Sequence, residues 1–122
     1  MIISKDFTFE AAHFLPKYVG ACSNLHGHSY HLTVFVKGPI KAETGMVMDF
    51  KNLKFTVEDV VLGKYDHSDL NQFFDNPTAE IMVEGIGKAL DAILSTNNEN
   101  IECVRVELRE TATSNAIWEK YN

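Results

Sequence analysis

Apolar and polar residues alternate near the start of the chain. One parity carries Ile3, Phe7, Phe9, Ala11 and His13, and the other carries Ser4, Asp6, Thr8 and Glu10. A period of two is typical of a half-buried strand, and it predicts a strand over residues 2–14. A loop follows over residues 15–24, and a second strand is predicted over residues 25–37, ended by Gly38-Pro39.

The periodicity becomes helical beyond Gly45. Asp49 is a suitable N-cap, and the apolar stripe after it consists of Phe50, Leu53, Val57, Val60 and Val61. Residues 63–76 are polar and broken, which predicts a loop. A second helix is predicted from residues 76–78, with Pro77 in its first turn, to Asn97-Asn98. Its stripe consists of Val83, Ile86, Leu90, Ile93 and Leu94.

Two more strands complete the chain. The first runs from Ile101 to Glu110, with Val104, Val106 and Leu108 on one parity, and the second from Asn115 to Tyr121. The order ββααββ predicts an α+β fold, in which two helices cover one face of a four-stranded antiparallel sheet. Such a sheet has two open edges, which favours pairing with other subunits in an oligomer.

Length and charge narrow the class of protein. A chain of 122 residues is the size of one domain, predicted over residues 1–122. The net charge of −6 argues against a nucleic-acid partner, because phosphate binding needs a basic face. No apolar run is long enough to span a membrane. The two cysteines make no disulfide framework, so cytoplasm is the expected compartment.

Histidines suggest a metal site. His26 and His28 point to the same face of a strand, with their Cα atoms roughly 6.5 Å apart, and His13 ends the neighbouring strand. Three imidazoles without an obvious fourth ligand are typical of an open, catalytic zinc site. His31 has the opposite parity and is excluded as a ligand. The alternative is that His26 and His28 are two ordinary histidines of a strand.

The two cysteines lie in different surroundings. Cys22 precedes His26 by four residues. It is either a fourth zinc ligand that closes a structural site, or a free thiol beside the metal, where positive charge raises its thiolate fraction and lets it act as a base or nucleophile. Cys103 lies on the opposite parity from Val104 and Val106, and we interpret it as structural.

Two acidic positions are further candidates. Asp66 and His67 form a neighbouring acid–imidazole pair in a predicted loop, where one group can orient another. Glu110 continues the parity of the apolar residues of its strand, so its carboxylate is expected to need donors, such as several adjacent N–H groups of a ligand. Otherwise Glu110 is a carboxylate at a frayed strand end that reaches solvent.

An ordered set of motifs resembles a known family. The motifs are Phe9-Glu10-Ala11-Ala12-His13, Cys22-x-x-x-His26-Gly27-His28-Ser29-Tyr30, Gly45-x-x-x-Asp49-Phe50, Asp66-His67, Pro77-Thr78-x-Glu80 and Glu110-Thr111. They resemble the 6-pyruvoyl-tetrahydropterin synthase family, including its bacterial and archaeal branch, the 6-carboxy-tetrahydropterin synthases of queuosine biosynthesis. The resemblance spans nearly the whole chain.

The resemblance implies a role for each matched residue. His13, His26 and His28 would hold Zn²⁺, and Cys22 would be the proton acceptor rather than a ligand. Asp66 and His67 would complete its proton relay, Glu110 would anchor the pterin ring, and Thr78 would also contact the pterin. The implied architecture is the tunnelling fold, in which three subunits close a barrel and two barrels stack as a homohexamer with active sites between subunits.

The implied substrate is 7,8-dihydroneopterin triphosphate. Zinc would act as a Lewis acid on the side-chain hydroxyls while Cys22 moves protons during triphosphate elimination. The motif at residues 9–13 and the compact length favour the carboxy product, with release of acetaldehyde. The alternatives are the pyruvoyl product and a non-catalytic, zinc-containing binding module. A folate-pathway branch has glutamate in place of the cysteine, so Cys22 argues against it. The cations that bind triphosphate are not assigned, although Lys17 lies near the predicted site.

Overall fold

The computed structural model describes all residues from Met1 to Asn122. Its strands and helices are β1 (Ile2–His13), β2 (His26–Lys37), α1 (Phe50–Val57), α2 (Gly63–Tyr65), β3 (Ser68–Asp69), α3 (Ala79–Asn97), β4 (Glu102–Thr111) and β5 (Ser114–Glu119). Shorter turns are the 3₁₀ segments Ala21–Ser23 and Leu70–Gln72 and the π-helical segment Glu58–Leu62. The predicted α+β class is confirmed. No helix combines the length and the apolar character needed to cross a membrane.

The sheet has five strands in the order β3-β1-β2-β4-β5. The pairs β1–β2, β2–β4 and β4–β5 are antiparallel, whereas β3 runs parallel to β1 through Ala11↔Ser68 and Ala12↔Asp69. The predicted four-stranded antiparallel sheet is therefore wrong in strand number and in being purely antiparallel. A strand of two residues has no periodicity to detect, because alternation needs about four residues to be recognised.

The pairing of β1 with β2 sets which side chains share a face. It runs without a slip from Ile2↔Lys37 to His13↔His26. Odd-numbered residues of β1 and even-numbered residues of β2 therefore point to the same side. That side is buried, as Phe9, Tyr30 and Leu32 show. The predicted parity of β1 is confirmed, and His13 and His28 lie on the buried side.

The first helix is longer than predicted. α1 continues through the π-helical segment into α2, and its N-cap is confirmed because Asp49 Oδ1 accepts from the Lys51 amide at 2.8 Å. Its buried residues are Leu53, Val57, Val61 and Tyr65. A spacing of four drifts about 40° per step around an ideal α-helix, and the wider π turn turns these residues back toward the sheet. Phe50, predicted to be buried, is exposed, and residues 63–65 are helix rather than loop.

The second long helix, α3, begins one residue later than predicted. Thr78 is the N-cap, and its Oγ1 accepts from the Ile81 amide at 3.2 Å. Pro77 therefore precedes the cap instead of lying in the first turn. The predicted stripe is buried except for Ile93, which is exposed. Gly87 lies against the indole of Trp118 on β5, where an added Cβ would approach within 2.1 Å, so the absence of a side chain lets helix and strand meet.

A bulge changes the faces of β4. Phe35 pairs with Arg105 and Val36 with Cys103, so Val104 is the extra residue. Cys103 is consequently buried with Val106, whereas Val104 is only partly buried. The prediction that Val104 shares a face with Val106 is wrong, because one inserted residue inverts the alternation on one side of it. Burial also raises the pKa of the Cys103 thiol to about 12, which suits the expected structural role.

Candidate metal centre and catalytic site

Three imidazoles meet at the end of the β1–β2 pair. One ring nitrogen from each of His13, His26 and His28 lies within 4.8 Å of the others. His13 and His26 are direct cross-strand partners, and His28 follows two residues later on the same face. The predicted convergence of the three side chains is confirmed. His31 lies on the exposed, opposite face, as its parity indicates.

Backbone carbonyls fix the tautomers of two of these rings. His13 Nδ1 donates to the Pro77 carbonyl at 2.7 Å, and His26 Nδ1 donates to the Asn24 carbonyl at 2.7 Å. A carbonyl oxygen only accepts, so each neutral ring must carry its proton on Nδ1 and a lone pair on Nε2. This is the arrangement found around metal-binding histidines, whose second nitrogen donates to a carbonyl or carboxylate.

The free nitrogens face one another. His13 Nε2 and His26 Nε2 are 3.1 Å apart, and two lone pairs at that distance repel unless a proton or a cation lies between them. Two nitrogens bound tetrahedrally to one Zn²⁺ are separated by roughly 3.3 Å, given Zn–N distances of about 2.0–2.1 Å. His28 Nε2 is buried and has no hydrogen-bond partner. A buried polar atom without a partner needs an explanation, and the donor set fits a zinc ion.

Two buried aromatic residues lie next to the histidine cluster on the core side. Tyr30 is fully buried, and its hydroxyl lies 3.4 Å from His13 Nδ1. Phe9 stacks on it with ring centroids 4.9 Å apart. Burial raises the pKa of Tyr30 well above its usual value, so the phenol stays neutral. Sequence reasoning did not assign these supporting contacts, although Tyr30 has the parity of His28; the Pro77 and Asn24 carbonyls have no side-chain signal at all.

Glu110 reaches the same cluster from β4. Its Oε2 is 3.9 Å from His13 Nε2 and its Oε1 is 3.8 Å from His28 Nε2. The side chain is 25% exposed, and neither carboxylate oxygen takes part in a hydrogen bond within the chain. The structure therefore places an unpaired carboxylate beside the three imidazoles, with both oxygens available to N–H donors of a ligand. Glu110 lies within β4, which continues to Thr111, and its side chain is partly exposed to solvent.

Cys22 lies beside the cluster in sequence but outside its ligand set. It is part of the 3₁₀ turn Ala21–Ser23 and is partly exposed. The atoms that lie mutually within 4.8 Å belong to the three histidines and exclude its thiol, which argues against a fourth protein ligand. The Leu15 amide donates to the Cys22 carbonyl at 2.9 Å. This bond ties the cysteine turn back to the chain two residues after His13.

Asp66 and His67 are docked on β1. Asp66 Oδ1 accepts from the Glu10 amide at 2.9 Å and from His67 Nδ1 at 3.0 Å, while the His67 amide donates to the Glu10 carbonyl at 2.6 Å. The Glu10 N–H, more than the His67 ring, lowers the pKa of Asp66. His67 has a positive φ of 59° and its side chain is largely exposed. Both residues are thus anchored to the backbone of Glu10, which precedes His13 by three residues in β1.

Two pockets are lined by several of these residues. A pocket of about 510 Å³ has both His28 and His67 in its walls. A larger one of about 800 Å³ is lined by Glu110 and by Thr78, whose hydroxyl is the α3 cap described above. Six of the predicted site residues therefore line one of the two pockets or belong to the histidine cluster: His13, His26, His28, His67, Thr78 and Glu110. Cys22 is hydrogen-bonded through its carbonyl to Leu15, which also lines the larger pocket.

Sequence comparison identifies a family that covers nearly all of the chain. The profile of the family described as 6-pyruvoyl tetrahydropterin synthase matches residues 2–120. A Bacillus subtilis protein named 6-carboxy-5,6,7,8-tetrahydropterin synthase is 35% identical over 95% of this chain and 83% of its own length. A Synechocystis protein of the same name is 38% identical over 96% of this chain and 92% of its own length.

The fold has a close counterpart among solved structures. The structure of Caenorhabditis elegans 6-pyruvoyl tetrahydropterin synthase superimposes with a TM-score of 0.86 and 26% sequence identity. The match covers 98% of this chain and 94% of that one. Sequence and fold thus point to the same family.

Proposed function

Because the chain belongs to the 6-pyruvoyl tetrahydropterin synthase family, we propose that it is a 6-carboxy-5,6,7,8-tetrahydropterin synthase. It converts 7,8-dihydroneopterin triphosphate to 6-carboxytetrahydropterin, acetaldehyde and triphosphate, a step of queuosine biosynthesis. The observation that carries the proposal is the name shared by two relatives that are 35% and 38% identical over almost the whole chain. The three-histidine cluster next to an unpaired carboxylate supplies a site suited to this chemistry.

His13, His26 and His28 hold the zinc ion in this proposal, through their Nε2 atoms. The support is the pair of carbonyl-fixed tautomers and the partnerless His28 Nε2. When bound there, zinc would supply Lewis acidity toward the hydroxyl groups of the substrate side chain. The three histidines would be its only ligands from the chain.

The chain's own residues bind the ring and move the protons. Glu110 accepts hydrogen bonds from adjacent N–H groups of the pterin, and Thr78 borders the same cavity. Cys22, whose thiol lies outside the set of ligand atoms, accepts the proton from the side-chain carbon. His67, held by Asp66 and by the Glu10 backbone, exchanges that proton further through the pocket it shares with His28.

The open strand edges support an oligomer. β3 covers only Ala11 and Ala12 of β1, and β5 has no neighbour on its outer side. We propose that residues 1–122 act as one domain and that these edges pair between subunits into trimeric barrels, two of which form a hexamer. A stable monomer in sedimentation velocity would contradict this assembly. Both cysteines are free, which fits action in the reducing cytoplasm.

Product analysis tests the reaction. Purified, zinc-loaded protein is incubated with 7,8-dihydroneopterin triphosphate, and products are identified by mass spectrometry with a separate assay for acetaldehyde. The expected result is 6-carboxytetrahydropterin with one equivalent of acetaldehyde. Formation of 6-pyruvoyl-tetrahydropterin without acetaldehyde would assign the pyruvoyl reaction instead. Absence of any pterin product from folded, zinc-containing protein would contradict both reactions and favour a binding module.

Replacement of Cys22 distinguishes a zinc ligand from a general base. Cys22→Ala is expected to keep one zinc per chain and to lower kcat by roughly 10²–10⁴-fold, as for removal of a general base. Cys103→Ala is the matched control, since that thiol is buried at the start of β4, at the opposite end of the strand from Glu110, and its loss should leave kcat unchanged in the folded fraction. Stoichiometric loss of zinc from Cys22→Ala would make the cysteine a ligand and refute its role as base.

A further inference from the structure

The pairing of β2 with β4 ends before either strand does. Its last pair at this end is His31↔Arg109. Beyond it, residues of the two strands that are not paired with each other line a cleft of about 470 Å³. His28 and Glu110 lie in its wall, together with His31 and Arg109. The cleft therefore borders the candidate metal centre and also has residues of the opposite parity, His31 and Arg109, in its wall.

The three pockets that touch the centre differ in charge. The pocket of about 800 Å³ has the carboxylates Glu80, Glu84 and Glu110 and no lysine or arginine. The pocket of about 510 Å³ has Glu10 and Asp69, and its only cationic candidates are histidines. In the third cleft Glu110 is the single carboxylate, and it is accompanied by Arg109. A polyanion attached to a group held at the histidines is repelled least there.

Arg109 is free to bind an anion. The chain has two arginines, and Arg105 is already paired with Glu107 at 2.9 Å and Glu119 at 3.1 Å. Arg109 forms no ion pair; one guanidinium N–H donates to the Ala112 carbonyl at 3.1 Å. That bond steadies the side chain at the β4–β5 turn and leaves four of its five N–H groups available. The side chain of His31 has no hydrogen-bond partner in the chain, so its ring N–H is also free.

From this geometry we infer that the cleft between β2 and β4 binds the phosphate chain of the substrate, with Arg109 and His31 as its donors. The inference rests on the proposed function, which supplies a substrate with a triphosphate on the side chain next to the metal. The guanidinium binds phosphate oxygens in bidentate fashion, a geometry that a lysine at the same place would not reproduce. The pterin lies on the Glu110 side of the cluster and the phosphates pass through the cleft.

The test compares two ligands that differ only in phosphate. The dissociation constants of 7,8-dihydroneopterin and of its triphosphate are measured by pterin fluorescence on zinc-loaded, full-length Cys22→Ala protein, where turnover is expected to be slow. The same measurement is repeated after adding Arg109→Gln, Arg109→Lys or Arg105→Gln. The quantity of interest is the ratio of the two constants, which isolates what the phosphates contribute.

We expect Arg109→Gln to reduce the preference for the triphosphate by roughly tenfold or more, with the affinity for dihydroneopterin unchanged. The ratio for Arg109→Lys should lie between those of Arg109→Gln and the parent, and the ratio for Arg105→Gln should equal that of the parent. An unchanged ratio in Arg109→Gln, or an equal loss in Arg105→Gln, overturns the inference while pterin binding still upholds the proposed function. Failure of the parent to bind either pterin overturns both.

Discussion

Charged and polar side chains lie close together at both ends of the sheet, but the two groups differ in how many of their polar atoms have hydrogen-bond or ion-pair partners. Where β4 begins, Lys120 donates to Asp91 at 2.9 Å and to Glu102 at 2.7 Å, and Tyr121 donates to the same Glu102 carboxylate. Asp91 also accepts from the Cys103 amide at 3.1 Å. Each charge has an opposite partner, so this network fastens the C-terminal segment to α3 and β4.

At the other end of the sheet, several polar atoms have no partner. His28 Nε2 is buried without a partner, Glu110 accepts no hydrogen bond, and the lone pairs of His13 and His26 face each other. Removing polar atoms from water without compensation is unfavourable. The network around Lys120 is thus fully paired, whereas these atoms of the histidine cluster and Glu110 stay available to ligands.

The largest effect is expected from His28→Ala. The variant should bind no stoichiometric zinc, and losing the several kcal/mol that a Lewis acid contributes lowers the rate by roughly 10³-fold or more. Because His28 Nε2 has no partner in the chain, the unfolding free energy of metal-free protein should change by less than about 1 kcal/mol. Metal analysis and urea unfolding with chelator measure the two quantities.

His31→Ala is the control for metal content, because its side chain lies on the opposite face and should leave one zinc per chain. A His28→Ala protein that retains stoichiometric zinc would contradict the assignment of the ligand set. A large destabilisation of the metal-free variant would mean that the ring is structural after all.

Glu110→Gln is expected to weaken pterin binding while zinc content stays normal. A neutral amide loses the charge-assisted bonds, so the dissociation constant should rise about 10- to 100-fold. Glu107→Gln is the matched control on the same strand, since that carboxylate is engaged with Arg105 on the other face. Fluorescence titration of both variants checks the prediction, and equal affinities in the two would remove Glu110 from the pterin site.

At the paired end, Lys120→Met should act on stability and leave zinc binding intact. It leaves the Asp91 and Glu102 carboxylates without their shared cation. Tm should fall by several degrees. Lys88→Met, which breaks an exposed 3.7 Å pair with Glu84, should change stability by less than about 0.5 kcal/mol. Similar Tm values for the two variants would show that the network adds nothing beyond a surface pair.

The smallest expected effect is on the pH dependence of the unfolding free energy in acid. Lys120 first, and then Tyr121, lower the pKa of the Glu102 carboxyl. A carboxyl whose pKa is lower in the folded than in the unfolded state stabilises the fold above its unfolded pKa, and this stabilisation is lost as pH falls through the folded pKa. Between roughly pH 5 and pH 3 the wild type should therefore lose more stability than Lys120→Met. Parallel curves of unfolding free energy against pH would contradict the assignment.

Local patterns predicted most of the elements and the buried face of β1. Alternation in β1, together with the spacing of His26 and His28, identified the side on which the three histidines meet. It failed at Val104, where a bulge inserts one residue, and at Phe50 and Ile93, which lie at the margins of helical stripes. It also missed β3, which exists only because β1 offers it a parallel partner.

The amino-acid sequence alone determined the chemistry available to this protein: three imidazoles at strand spacing, a cysteine four residues before them, and motifs that resemble one family. These follow from short-range geometry, because the period of a strand decides which neighbours share a face. Only the tertiary structure decided which groups stay unpaired. The Pro77 carbonyl that orients His13, the distance from Glu110 to the histidines and the cleft beside Arg109 all join residues far apart in the chain. No local pattern specifies such contacts, since they depend on how the strands and helices pack against one another.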